Sequence, residues 1–241
     1  MTTSVIGSLN EKSLHKKIKN IYLTKTPNAV DETKVDDYII DIVSPNELIE
    51  IQTGNFSGIK TKISKLVSKH PVKIVHPVAA ETIISTYKIN GELKSKRRSP
   101  KRGCIESCAG ELLYIADLLY SENLSIEILL IRQEEKRIDD GKGARRRRGI
   151  SIKDRTLLEI IEKQTFKKRA DFISLLPENL PSQFSNSDIA DKLKEKYLPK
   201  KQRIKLASQI SYLLRKLELI KITGKDGNRL LFSLLTNSAI I

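Results

Sequence analysis

Residues 37 to 53, DYIIDIVSPNELIEIQT, leave the backbone few choices. Two short apolar runs flank Ser44-Pro45-Asn46-Glu47, and Pro and Asn are turn formers, so the segment is read as an antiparallel hairpin. With that loop, Asp41 faces Glu50 and Ile39 faces Gln52. Side chains alternate at a period of two, which sends Asp41, Glu50 and Gln52 to one face of the pair. Carboxylates directly across an antiparallel pair repel by roughly 0.2–1 kcal/mol. A cation between them removes that cost, and oxygen ligands with open positions suit Mg²⁺ or Mn²⁺ better than zinc. The alternative is an ordinary hairpin whose acidic residues face solvent.

The flanks add a recurring order. SLNEKSLHKKIKNIY (8–22) carries Leu14, Ile18, Ile21 and Tyr22 at helical spacing, with Ser8 and Asn10 as candidate caps and Glu11 in the first turn. ETKVDDY supplies a strand to Val35 and a turn at Asp36-Asp37. GIKTKISKLVSKH (58–70) reads as a basic amphipathic helix on Ile59, Ile63, Leu66 and Val67, and PVKIVHPVA (71–79) as a buried strand.

With Asp41 followed by Glu50-Ile51-Gln52 in an αβββαβ order, the chain resembles the PD-(D/E)XK nuclease superfamily, the restriction-endonuclease-like and Holliday-junction-resolvase-like fold. The resemblance implies an α/β fold with a mixed sheet, in which Asp41 and Glu50 bind a catalytic Mg²⁺ or Mn²⁺. It places Gln52 at the family's lysine position, a departure from the pattern that removes a positive charge. Lys60 or Lys62, one turn into the next helix, stands in for that lysine, with Lys73 on the following strand as a further substitute. Glu11 matches the first-helix glutamate that approaches the metal in many members, or else is only a carboxylate favoured at a helix N-terminus.

Charge points to the same class of partner. Lys plus Arg number 44 against 29 Asp plus Glu, a net charge of +15 that attracts polyanions. Nucleic acid is the leading partner, DNA first with RNA open, and a homodimer is compatible. No run of 18 apolar residues and no apolar leader core is present, so a soluble, cytoplasmic chain without a membrane association is expected. Cys104 and Cys108 have no companion at a zinc spacing and read as reduced thiols. His15 is read as solvated or capping, with a phosphate contact as the alternative.

Two basic clusters follow. KINGELKSKRRSPKRG (88–103) turns at Asn90-Gly91, so Arg97, Arg98, Lys101 and Arg102 project on a hairpin or loop suited to phosphate contacts, or are simply solvated. A helix is expected from about Ile105 to Tyr120, then a strand, SIEILLIR. Arg145 to Arg148, flanked by Gly141, Gly143 and Gly149, read as a charged linker that closes a nuclease-like domain at 1–150.

Residues 151–241 read as a second, mainly α unit. DRTLLEIIEKQTF is taken as a helix on Leu157, Leu158, Ile160 and Ile161, and KKRADFISLLP as a short second one. Ser187 is taken as the cap of a third, Lys200 to Leu217 form a longer helix, and two apolar strands surround GKDGN. This order resembles a winged helix-turn-helix domain. That resemblance implies a recognition helix presenting Lys200, Lys201, Arg203 and Lys205 and a wing presenting Lys225 and Arg229. The reading is therefore a metal-dependent DNA endonuclease. Its rival is a non-catalytic DNA-binding protein or assembly subunit that keeps the fold.

Overall fold

The structure, a computed structural model, describes residues 12–193 and 198–235. Helix α1 (Ser13–Lys25) is followed by β1 (Val30–Val35), β2 (Tyr38–Val43), β3 (Leu48–Ile51), α2 (Lys60–Leu66) and β4 (Val72–Lys88). This is the αβββαβ order read from the sequence. Strand β5 (Leu93–Arg98) turns back on β4. A broken helical stretch from Ile105 to Leu118, with α3 (Ala109–Leu112) inside it, leads to β6 (Leu124–Asp139) and β7 (Ile150–Phe166). Then come α4 (Asn186–Lys192), α5 (Lys200–Lys216) and the hairpin β8 (Ile220–Asp226) with β9 (Arg229–Leu234).

Seven strands form one mixed sheet in the order β1-β2-β3-β4-β6-β7, with β5 on β4. The pairs β3–β4 and β4–β6 are parallel and the others antiparallel. One face buries Ile42, Ile49, Ile51, Val75 and Leu129 under Leu14, Ile18 and Tyr22 of α1. The larger core gathers Ile63 and Leu66 of α2, Leu112 of α3, Ile126 and Ile128 of β6, and Ile210, Leu213 and Leu214 of α5. Both halves of the chain thus share one hydrophobic core.

Several elements differ from the sequence expectations. Residues 154–166 are strand, not helix, and a boundary at 150 falls inside the β6–β7 hairpin. The pairing explains why this strand has a helical pattern. Three register shifts leave one extra residue of β7 between paired positions, namely Lys153, Leu158 and Ile161. Each such bulge breaks the period of two, so apolar residues at 157, 158, 160 and 161 imitate helical spacing. The bulged Leu158 and Ile161 are 45% and 46% exposed, while Leu157 is buried. The helix expected over 105–120 is a succession of 3-10 turns around the four residues of α3. Ser185, not Ser187, caps α4. Its hydroxyl accepts from the Ser187 amide at 3.2 Å, and Asp188 returns a contact to the Ser185 amide at 2.7 Å.

Candidate active site

The β2–β3 ladder keeps the register read from the sequence, with Val43 opposite Leu48 and Ile42 opposite Ile49, and stops there. At the end of that ladder the Ile51 amide donates to Asp41 Oδ2 at 2.7 Å, so a side chain takes the place of a strand carbonyl. Glu50 is buried at 6% exposure, an unusual place for a carboxylate on a short strand. Helix α2 starts directly after a 3-10 turn at Phe56–Gly58 and brings Lys62 over this spot. The Lys62 ammonium ion-pairs with Glu50 Oε1 and donates to the Ile39 carbonyl at 2.6 Å. From the other side, α1 sets His15 Nε2 at 3.2 Å from Asp41 Oδ2.

The two carboxyl groups titrate apart. Burial works against ionisation of Asp41, but His15, the Ile51 amide and Lys62 outweigh it and hold the group below the usual carboxylate range. Burial pushes Glu50 up to about 7, reinforced by the negative charge of Asp41 and only partly offset by Lys62 and the Asp41 amide. One carboxylate is thus ionised at neutral pH while its neighbour is poised near it.

Glu50 Oε1 is buried against the Lys62 ammonium, which offsets part of the cost of its charge. Among the described residues no group of three His, Cys, Asp or Glu side chains is placed to hold a metal. Two carboxylates nevertheless match how Mg²⁺ is usually held, by one or two carboxylates with waters and substrate oxygens completing the shell. The donor set fits Mg²⁺ or Mn²⁺ and not a structural zinc.

Of the other expected site residues, Lys60 turns away and pairs with Asp117 at 3.1 Å, and Lys73 pairs with Glu47 at 2.5 Å. Gln52 lies beside the pair in sequence, but its amide donates to the Asn55 carbonyl at 2.8 Å rather than to either carboxylate. Glu11 lies outside the described residues. Two histidines do more than the sequence suggested. His15 reaches Asp41. Buried His76 contacts the Gln52 carbonyl at 2.6 Å, packs edge-on against Phe56, and is held below its ordinary pKa by desolvation. The only sequence signal for His15 is its position beside Leu14 on the helix that covers the sheet.

The basic residues divide. Arg97 and Arg98 are on exposed β5, with Arg98 3.5 Å from Glu81, and Lys101 and Arg102 are on the loop that follows. On α5, Lys200, Lys201 and Lys205 are exposed, whereas Arg203 donates to the Ala190 carbonyl at 3.1 Å and braces α4. Lys225 and Arg229 are exposed on the β8–β9 hairpin. No helix among the described residues is long and apolar enough to cross a membrane.

Residues 12–167 match the family described as a domain of unknown function, DUF8091. That span runs from the start of α1 to the end of β7, which agrees with a sheet that continues past residue 150. A protein of Treponema pallidum (strain Nichols) named "Uncharacterized protein" is 30% identical over 186 residues, covering 77% of this chain and 73% of the relative. No solved structure matches.

Proposed function

We propose that this chain, which belongs to the family DUF8091, a domain of unknown function, is a metal-dependent endonuclease that hydrolyses phosphodiester bonds in DNA. The observation that carries the reading is the meeting of Asp41, Glu50 and Lys62 where the β2–β3 ladder ends. Asp41 and Glu50 would hold Mg²⁺ or Mn²⁺, which when bound lowers the pKa of a water and neutralises charge at the scissile phosphate. The αβββαβ order and the parallel β3–β4 pair support the resemblance to the PD-(D/E)XK nucleases.

Each protein group has a physical task. Asp41 is fixed by the Ile51 amide and by His15, so its free lone pairs keep one orientation. Glu50, poised near neutrality, ionises readily when a cation offsets its burial. Lys62 replaces the charge that Gln52 cannot provide. Held by the Ile39 carbonyl, it carries an ammonium toward charge that builds on phosphate oxygens. Helices α4 and α5 and the β8–β9 hairpin follow the order of a winged helix. On that reading Lys200, Lys201 and Lys205 contact the duplex from α5, and Lys225 and Arg229 contact it from the wing.

A second reading, a non-catalytic DNA-binding protein on the same fold, is favoured by one observation. Gln52 spends its side chain on Asn55. Incubation with linear, supercoiled, branched and single-stranded DNA in Mg²⁺ or Mn²⁺ separates the two. The nuclease reading expects cleavage that Asp41→Ala and Glu50→Ala each abolish, with Ca²⁺ supporting binding but not turnover. Wild type inert on every form, or cleavage unchanged in both variants, refutes it.

A further inference from the structure

Away from the carboxylate pair, the long arms of β4, β6 and β7 carry a cleft of about 880 Å³. It is lined by eight basic side chains and one carboxylate, Glu135. Glu135 is already taken, since Arg137 ion-pairs with one of its oxygens at 2.6 Å and Arg155 with the other at 2.9 Å. No carboxylate among the described residues pairs with Arg97, Lys101, Arg146, Arg147 or Lys205. The cleft therefore has an excess of cation that carboxylates among the described residues do not neutralise.

Its walls are built, not loose. Beyond Val75, β4 loses β3 as a neighbour, and β5 begins only at Ile83. The loop carrying Lys101 and Arg102 fills this gap, with the Ser99 amide on the Thr82 carbonyl at 2.8 Å and the Gly103 amide on the Ala79 carbonyl at 2.9 Å. A Cβ on Gly103 would stand 2.8 Å from the Ala79 oxygen, so the loop lies as close to the strand as a glycine permits. Gln202 of α5 ties this wall to the C-terminal helices through the Arg102 carbonyl at 2.7 Å. The opposite wall is the arginine run. It forms a 3-10 turn at the tip of the β6–β7 hairpin, closed by the Gly143 amide on the Gly149 carbonyl at 2.7 Å. A Cβ on Gly143 would fall 1.9 Å from the Ile150 oxygen. Arg147 donates back to the Ile150 carbonyl at 3.1 Å. The segment that reads as a linker is a fixed turn holding arginines over the cleft.

Position gives the cleft a meaning. Glu50 pairs with Ile74 of β4, and the cleft is lined from Ala79 to Ile84 on that same strand. At about 3.3 Å per residue it lies roughly 16 to 33 Å from the carboxylates along β4. We propose that this cleft grips the sugar-phosphate backbone of a DNA duplex at a distance of roughly 5 to 10 base pairs from the carboxylate pair, taking about 3.4 Å per base pair. The spacing rests on the nuclease reading; the phosphate grip does not. Side chains that contact only phosphate position the duplex without reading its sequence.

The test is fluorescence anisotropy with a labelled duplex of about 24 base pairs in EDTA, titrated over KCl, using wild type, R146A/R147A/K205A and K205E. Three lost phosphate contacts should flatten the slope of log affinity against log salt by about 2.7. K205E, on a different element, should weaken binding in the same direction with unchanged circular dichroism. Equal slopes in wild type and the triple variant overturn the proposal. So does displacement of the duplex by equimolar sodium tripolyphosphate, which would mark a site for small polyphosphates. In Mg²⁺, R146A/R147A should lose cleavage of the long duplex but not of a hairpin with a stem of about 3 base pairs, about 10 Å long at about 3.4 Å per pair and so too short to reach the cleft. Equal loss on both overturns the spacing. Cleavage that survives Asp41→Ala would sink the nuclease reading and leave the anisotropy result standing.

Discussion

Replacing Glu50 with Gln should stabilise the metal-free protein at alkaline pH. Glu50 titrates near 7 in the fold against an ordinary value of 4.5, with burial as the main cause and Asp41 as the second. A carboxyl whose folded pKa is raised binds its proton more tightly in the native state. Stability therefore falls as pH climbs from about 4.5 to about 7, by about 3 kcal/mol at 1.36 kcal/mol per pH unit. Asp41 has the opposite shift, so its contribution is present above its ordinary 3.8 and is lost only in more acid solution, outside this window. Glutamine keeps the shape and cannot ionise, so the variant skips the decline. The pull of Lys62 on the ionised form is already contained in the raised value. In a chain of this size about 3 kcal/mol corresponds to roughly 6–12 °C in Tm. Thermal unfolding in EDTA at pH 5, 6, 7 and 8 reads this directly. The two proteins should melt closest together at pH 5, diverge between pH 5 and pH 7 and keep a constant gap above that, with E50Q the more stable. Parallel curves across the range would refute the claim that Glu50 is ionised at a cost.

Two further outcomes follow from the packing. Lys62→Met removes the cation beside Glu50 while keeping the stem, so Glu50 should titrate higher still and Mg²⁺-dependent cleavage should fall by about 10²-fold or more, the scale of losing one electrostatic contact in a transition state; Lys60→Met, whose partner is the exposed Asp117, should leave cleavage unchanged, and an equal loss in both would reject the assignment. Truncation after residue 150 deletes β7 and strips the partner from β6, exposing an apolar strand edge, so that fragment should be insoluble or unfolded by circular dichroism; a soluble, cooperatively melting 1–150 fragment would contradict the single shared core.

The first half of the fold was legible because its signals are local and regular. A Pro-Asn turn sets the register of β2 and β3, and that register alone predicts which carboxylates meet. The second half was obscured by long-range pairing. Bulges at Lys153, Leu158 and Ile161 disguise β7 as a helix, since periodicity carries no record of a partner strand. Glycines around four arginines suggested an exposed linker, yet Gly143 is there because the Ile150 carbonyl leaves no room for a Cβ. At the site, sequence spacing offered both Lys60 and Lys62, two residues apart on one helix and so on different faces. Only the packing of α2 decides that Lys62 meets Glu50. His15 reads as solvated or capping because no local pattern records that α1 packs over β2 beside Asp41.

The central claim is that Asp41 and Glu50 form a divalent-cation site, and isothermal titration of Mn²⁺ into wild type and E50Q at pH 7.5 tests it most directly. Wild type should give a saturable isotherm, accompanied by proton release as Glu50 gives up its proton, and E50Q should lose it. Identical isotherms, or no heat from wild type with Mn²⁺ or Mg²⁺, would contradict it.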